Sequence, residues 1–204
     1  MNRTIVGINT AVIIDGDNLR VSLKRIGLKL SGLQLFLSNF FETDDLLTGM
    51  ENMENEIFNP IIYIVSKMVA KDEREKQNLC LKNLKQQNAG LVKLSVVHPK
   101  RLYNSYWSSC TDSEIASFIA IALFDKSIEK IILVSGDGDF LRPLKRIGIR
   151  DKKICLVGVK GSTSKELTEY INLMGGKINI VENRVAGLSK IDKKKKRRRK
   201  TSII

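Results

Sequence analysis

Histidine is almost missing from this sequence, with His98 the single example, and cysteine is scarce: Cys80, Cys110 and Cys155 stand far apart with no C-x-x-C pair. That leaves too few soft ligands for a structural zinc site. An odd, scattered cysteine set also suits a reducing compartment better than a disulfide framework. A Ser-His-Asp triad would rest wholly on His98, which lies beside Pro99 at the end of an apolar run and reads more simply as a strand-end residue. Long hydrophobic runs are lacking too. The apolar stretch at 131–134 stops after a handful of residues, whereas a spanning helix needs about 20. Near the N-terminus Arg3 is followed by a stretch that Gly7 and Asn9 break before Asp15, without a cleavage pattern, so no secretory signal is read. A soluble, cytoplasmic protein with no membrane partner is expected. Phosphate-binding loops are absent as well: no G-x-x-x-x-G-K-[ST] occurs, and Gly136-Asp137-Gly138 meets Leu141 where G-x-G-x-x-G needs a third glycine. What is left for chemistry is carboxylates, lysines and backbone.

The 204 residues are 43% hydrophobic and 28% charged, which gives material for one domain with a real core. The net charge of +13 is unevenly placed. Between Lys190 and Lys200 there are nine bases and one acid, Asp192, so most of the excess sits at one end. Such a run repels itself, is expected to stay disordered, and meets polyanions through residues such as Lys193 and Arg197. In a nucleated cell it reads equally well as a nuclear import signal. The opposite bias runs from Glu42 to Glu56, with six acids and no base. The expected layout is an extension over 1–9, a folded domain over 10–186 with an acidic loop at 42–59, and a basic tail over 187–204.

Short Val- and Ile-rich runs at 11–14, 61–65, 91–97, 130–134, 153–157 and 178–181 read as buried strands, because they are nearly continuous rather than alternating. Helical patterns at 33–41, 72–87, 112–126, 140–147 and 164–174 lie between them. Strand and helix in alternation predict an α/β fold, three layers with a central parallel sheet and helices on both faces. In such folds ligands bind beyond the carboxyl ends of the strands, where strand order reverses.

Acids collect at that edge. Asp15 leaves the first strand in Ile14-Asp15-Gly16-Asp17-Asn18, and the fourth strand runs into Ser135-Gly136-Asp137-Gly138-Asp139-Phe140. Asp112 opens the helix before the fourth strand, where Thr111 and Glu114 fit a capping box. Asp112 is therefore explicable by the helix dipole and Asp139 as a helix N-cap, while Asp15 and Asp137 have weaker structural explanations. Several carboxylates on one edge repel one another unless a cation intervenes, and oxygen-only ligands favour magnesium or manganese. Gly161-Ser162-Thr163-Ser164 offers backbone donors to a phosphate or simply an N-cap. Tyr103, Tyr106 and Trp107, interleaved with Lys100 and Arg101, could stack unpaired bases or pack on the sheet.

The opening Ile-Asp-Gly-x-Asn motif at 14–18, Asp112 at a helix start, Ser-Gly-Asp-Gly-Asp-Phe at 135–140 and the 161–164 segment leading to Leu167 together resemble the NYN group of PIN-like ribonucleases. The resemblance implies a PIN-like, Rossmann-like fold and metal-dependent cleavage of RNA, which is expected to be single-stranded. It casts Asp15, Asp112, Asp137 and Asp139 as the catalytic, metal-binding acids, with Mg2+ or Mn2+ as cofactor. Asn18, Ser135 and Ser162 become candidates for substrate contact, RNA is the expected partner, and homo-oligomerisation is left open. Two departures from the pattern are Phe118, where members often carry a further acid, and Pro143, one position later than usual. Phe118 keeps a non-catalytic RNA-binding or protein-interaction module as the alternative. A haloacid-dehalogenase-like phosphatase, with Asp15 as nucleophile and Asp17 two residues on, is a further one.

Overall fold

The computed structural model describes residues 10–37, 39–40, 61–87, 92–101, 107–108, 110–149, 151–183 and 185–191. The expectations for 1–9, for the acidic segment, for Tyr103 and Tyr106, and for Lys193 and Arg197 lie outside the described residues.

Six strands form one parallel sheet: β1 (Thr10–Asp15), β3 (Ile61–Ser66), β4 (Val92–Val97), β7 (Lys130–Val134), β8 (Lys153–Val159) and β9 (Lys177–Val181). Their spatial order is β4-β3-β1-β7-β8-β9, which is 3-2-1-4-5-6 when these six are counted along the chain. Sheet growth therefore reverses between β1 and β7. The α/β, three-layer expectation holds.

Alternation along β1 divides the core. Val12 and Ile14 point into one apolar layer, with Leu19 and Leu23 of α1 (Gly16–Arg25) and Phe36 and Leu37 of α2 (Leu33–Leu37). Leu81 and Leu84 of α3 (Lys71–Gln87) lean on the same layer, although no residue of α3 is fully buried. Ile13 points into the other layer, with Ile115 and Ile119 of α4 (Thr111–Phe124), Leu144 of α5 (Leu141–Ile147) and Leu167 and Ile171 of α6 (Lys165–Leu173). Right-handed crossovers on one face carry the sheet one way from β1, and those on the opposite face carry it the other way. The reversal at β1 and β7 is the direct result.

Three features differ from the sequence reading. Residues 16–25 are helical, a segment that the sequence reading assigned to no element; Leu19 and Leu23, one turn apart, supply its buried face. The helix expected over 33–41 ends at Leu37, and Asn39 Nδ2 donates to the carbonyls of Leu35 and Phe36, both at 2.8 Å. The domain also does not end at 186. Leu188–Lys190 forms β10, antiparallel to β2 (Leu28–Leu30), and Leu188 is buried in the first apolar layer. Gly187 makes this contact: its φ of +79° suits glycine, and a Cβ there would lie 2.3 Å from Gly32 O and Phe36 N. A smaller antiparallel pair joins β5 (Lys100–Arg101) and β6 (Trp107–Ser108) in the segment leading to α4.

Truncation after Ala186 is expected to cost at least about 2 kcal/mol in urea unfolding, because the buried Leu188 side chain and a strand pairing are lost together. Truncation after Ile191 should leave the midpoint unchanged.

Candidate active site

Asp15 ends β1 and is only 3% exposed. It caps α1, accepting the Asn18 N–H at 2.9 Å through Oδ1, while Oδ2 accepts Ser135 Oγ–H at 3.0 Å. Ser135 Oγ in turn accepts the Asp137 N–H at 3.1 Å. Asn18 Oδ1 accepts the Gly136 N–H at 3.0 Å. The loops leaving the two strands at the reversal are thus sewn together by Asp15, Asn18 and Ser135. A third loop is pressed against them. A Cβ on Gly136 would sit 2.3 Å from Ser162 O, and Ser164 N donates to Gly136 O at 2.8 Å. The Ser-Gly-Asp-Gly-Asp and Gly-Ser-Thr-Ser motifs are two sides of one contact.

Around this knot lies a cleft of about 340 Å³ lined by Asp15, Asp17, Asp112, Asp137, Arg25 and Ser162 among others. Three of the four acids named from sequence share it. Asp139 does not; it lines a neighbouring groove, which Asp112 also borders.

The structural explanations of these acids change places. Thr111 is the first residue of α4 rather than its cap, the N-cap position falls on Cys110 without a side-chain bond, and Glu114 accepts from Ser95 Oγ at 3.1 Å. The capping-box expectation therefore fails, because Glu114 is drawn to β4 instead of folding back. Asp139 is not an N-cap either. Asp137 caps the short 3₁₀ turn Gly138–Phe140, accepting the Asp139 N–H at 2.9 Å. Asp15 and Asp137 are the caps, while Asp112 stays in the first turn of α4, where the helix dipole favours an acid. Ser135, expected to touch substrate, is 2% exposed and positions Asp15 instead. Asn18 lines the cleft, half-buried, with its carbonyl accepting the Gly136 N–H. Ser162 does line the cleft, where its Oγ accepts from Arg25 Nη1 at 3.3 Å.

Two cleft residues escaped the sequence reading as site residues. Asp17 Oδ2 accepts the Ser66 N–H at 2.6 Å, fixing the carboxyl end of β3 to α1. Its signal was the spacing of two from Asp15. Arg25 had none, since only the helical course of 16–25 brings it round to Ser162.

Burial pushes the Asp15 carboxyl up to about 6, against the Asn18 and Ser135 bonds that favour its charge, and Asp17 and Asp112 push the same way. Asp112 is also raised, first by partial desolvation and then by the charges of Asp137, Asp139 and Asp17. The acids repel one another, and among the described residues no salt bridge joins Asp15, Asp112 or Asp137 to a cation. An all-oxygen donor set of this kind fits a hard divalent ion. It is not a finished cage, because no group of three or more His, Cys, Asp or Glu among the described residues is close enough to hold one. Nor is Asp15 placed as a phosphatase nucleophile, being buried with both oxygens accepting hydrogen bonds. Phe118 packs on the second apolar layer with Lys93 Nζ 5.8 Å from its ring centroid.

The NYN domain family model matches residues 9–173, which takes in the whole cleft. The chain belongs to the NYN domain family. NYN domains are PIN-like and in general nucleases, associated with RNA and usually with divalent metals. No curated protein matches the chain. Among solved structures, a protein of unknown function from Vibrio parahaemolyticus is 18% identical, covering 87% of this chain and 94% of its own, with a TM-score of 0.56. At that identity the likeness is one of fold alone.

The raised Asp15 fixes the sign of a pH effect. Its folded-state value of about 6 lies above the ordinary 3.8, so the folded protein binds the proton more tightly. Metal-free protein is then expected to lose stability as pH rises between about 4 and about 6, by about 3 kcal/mol when fully ionised. Denaturant melts in chelator should show this decline, and Asp15→Asn should flatten it.

Proposed function

We propose that this NYN domain is a ribonuclease that uses Mg2+ or Mn2+ to hydrolyse phosphodiester bonds in single-stranded RNA. The observation that supports it most is the convergence of Asp15, Asp112 and Asp137 in one open cleft at the strand-order reversal, without a cationic partner among the described residues, where burial and neighbouring acids raise Asp15 and Asp112. Asp15, Asp112 and Asp137 would hold the ion, with Asp17 beside them. Bound there, a divalent ion supplies a lowered water pKa and stabilises charge on the phosphate. The chain's own contribution is positional. Ser135 and the Asn18 N–H orient the Asp15 carboxylate, the Asp137 cap fixes the second acid, and Arg25 with Ser162 would offer donors to a phosphate in the same cleft. A second reading, RNA binding without cleavage, is favoured by one observation, the lack of a ready-made three-acid cage among the described residues.

The deciding experiment incubates purified protein and labelled single-stranded RNA with manganese or with chelator. Cleavage should need the metal and fall by at least about a hundredfold in Asp112→Asn and Asp137→Asn, as expected when a charge-stabilising group is removed. Asparagine caps as well as aspartate does, so Asp137→Asn should keep the turn and the melting temperature. Metal-independent cutting would overturn the mechanism, and metal-dependent binding with no cutting would establish the second reading.

The basic run is proposed to add sequence-independent affinity. Deleting 192–204 should flatten the salt dependence of RNA binding, with about 0.7 lost from the log–log slope per phosphate released. Cleavage at saturating RNA should survive, since none of the proposed ligands lies there.

A further inference from the structure

An acidic cleft repels the polyanion it is meant to cut. Asp112 borders both the cleft and the neighbouring groove, and Asp139 lines that groove, so cations must lie close by if RNA is to stay. Beside the cleft, and sharing Asp112 with it, runs a groove of about 440 Å³ between α4 and α5. That size falls within the range of small-ligand sites. Ala116, Pro143 and Ile147 give it an apolar wall, and Arg142 and Arg146 border it.

We infer that this groove holds the RNA nucleotides flanking the scissile phosphate, with Arg142 and Arg146 on the backbone phosphates and the apolar wall against a base. The inference rests on the ribonuclease reading for what is cut but not for what the groove binds. Arg142 and Arg146 are one helical turn apart, hence on one face of α5, and both are exposed. Neither forms a salt bridge among the described residues. The third base of α5, Lys145, lies over the Tyr170 ring at 5.7 Å and does not line the groove. On the facing wall α4 contributes Asp112, Ser113 and Ala116 and no cation. The groove thus meets the cleft at Asp112, with Asp112 and Asp139 on its lining and two guanidinium groups beside them, whereas the cleft has four acids and the single Arg25. Guanidinium forks match phosphate geometry in pairs of bonds, and small Ala116 leaves room for a planar ring. An acidic peptide fits less well, because carboxylates have no use for the adjoining acidic cleft.

The test uses the full chain with Arg142→Ala/Arg146→Ala, and Lys82→Ala/Lys85→Ala on the exposed side of α3 as a control that removes the same charge. Binding of a labelled single-stranded oligoribonucleotide is measured in chelator across a range of salt. The arginine variant should lower the log–log salt slope by about 1.4, two phosphates at about 0.7 each, and the control by less than half of that. With manganese, the arginine variant should raise KM on the oligonucleotide with kcat within about twofold, the mark of lost uniform binding. Equal slope losses in the two variants would overturn the inference. So would tighter RNA binding by the arginine variant, the result expected if these arginines hold the chain's own acidic segment at 42–56. If wild type binds RNA and never cuts it while the slope difference persists, the groove stands as an RNA surface and the nuclease reading falls. If wild type cuts and the slopes agree, the groove inference falls alone.

Discussion

The hydrogen bonds around one buried carboxylate organise the working edge of this domain. Asp15 ends the central strand, and its two oxygens are taken by the Asn18 N–H and the Ser135 hydroxyl. Through these bonds the loops after β1 and β7 are joined across the strand-order reversal, and through Gly136 the 161–164 loop is brought against them. Burying a charge without a cationic partner is costly, which is why the carboxyl is raised to about 6 rather than sitting in the usual range. The same three loops could have been closed by neutral side chains at lower cost. Retaining an acid there makes sense where a cation visits.

The fold was largely legible because both faces of the sheet are covered. Strands buried on both sides read as continuous Val and Ile runs, and the six main strands appear close to where those runs place them. The shorter pieces were not legible for an equally physical reason. β2 and β10 have three residues each, and what holds them is tertiary: Leu28 and Leu188 in the first apolar layer and Gly187 pressed against Gly32 and Phe36. α1 was legible in principle, since Leu19 and Leu23 stand one turn apart in a polar segment that Asp15 caps, but its start coincides with the Asp15–Asn18 motif, which reads first as chemistry rather than as helix.

The site divides along the same line. Which strand ends carry acids can be read from a sequence, since Asp15 and Asp137 follow apolar runs directly. What each acid does locally depends on geometry that spacing does not contain. Thr111 and Glu114 match a capping box by type and distance, yet Ser95 on a neighbouring strand claims Glu114. Ser135 and Asn18 look like substrate contacts because polar residues beside acids often are. In the fold Ser135 is buried and spent on holding Asp15, which makes it a positioning residue, whereas Asn18 holds Gly136 through its oxygen and still lines the cleft.

The electrostatics of the edge also explain why its parts must be spread out. Carboxylates close enough to share an ion destabilise the metal-free fold, and Asp112 already feels Asp137, Asp139 and Asp17. Leaving Asp112 on an exposed helix start, and Asp139 in the adjoining groove, lets water screen part of that repulsion. The cost of that arrangement is a weakly attractive surface for any phosphate chain. A cation seated on the acids would neutralise them and compete with a metal, so cations serve better away from them. Arg142 and Arg146 lie in the neighbouring groove, and Arg25, though it lines the cleft, donates to Ser162 Oγ rather than to an acid. On the proposed reading, an RNA held by these arginines would lie beside the acids, and a divalent ion bound there would offset their repulsion, so that metal and RNA would each raise the other's affinity without any change in the fold.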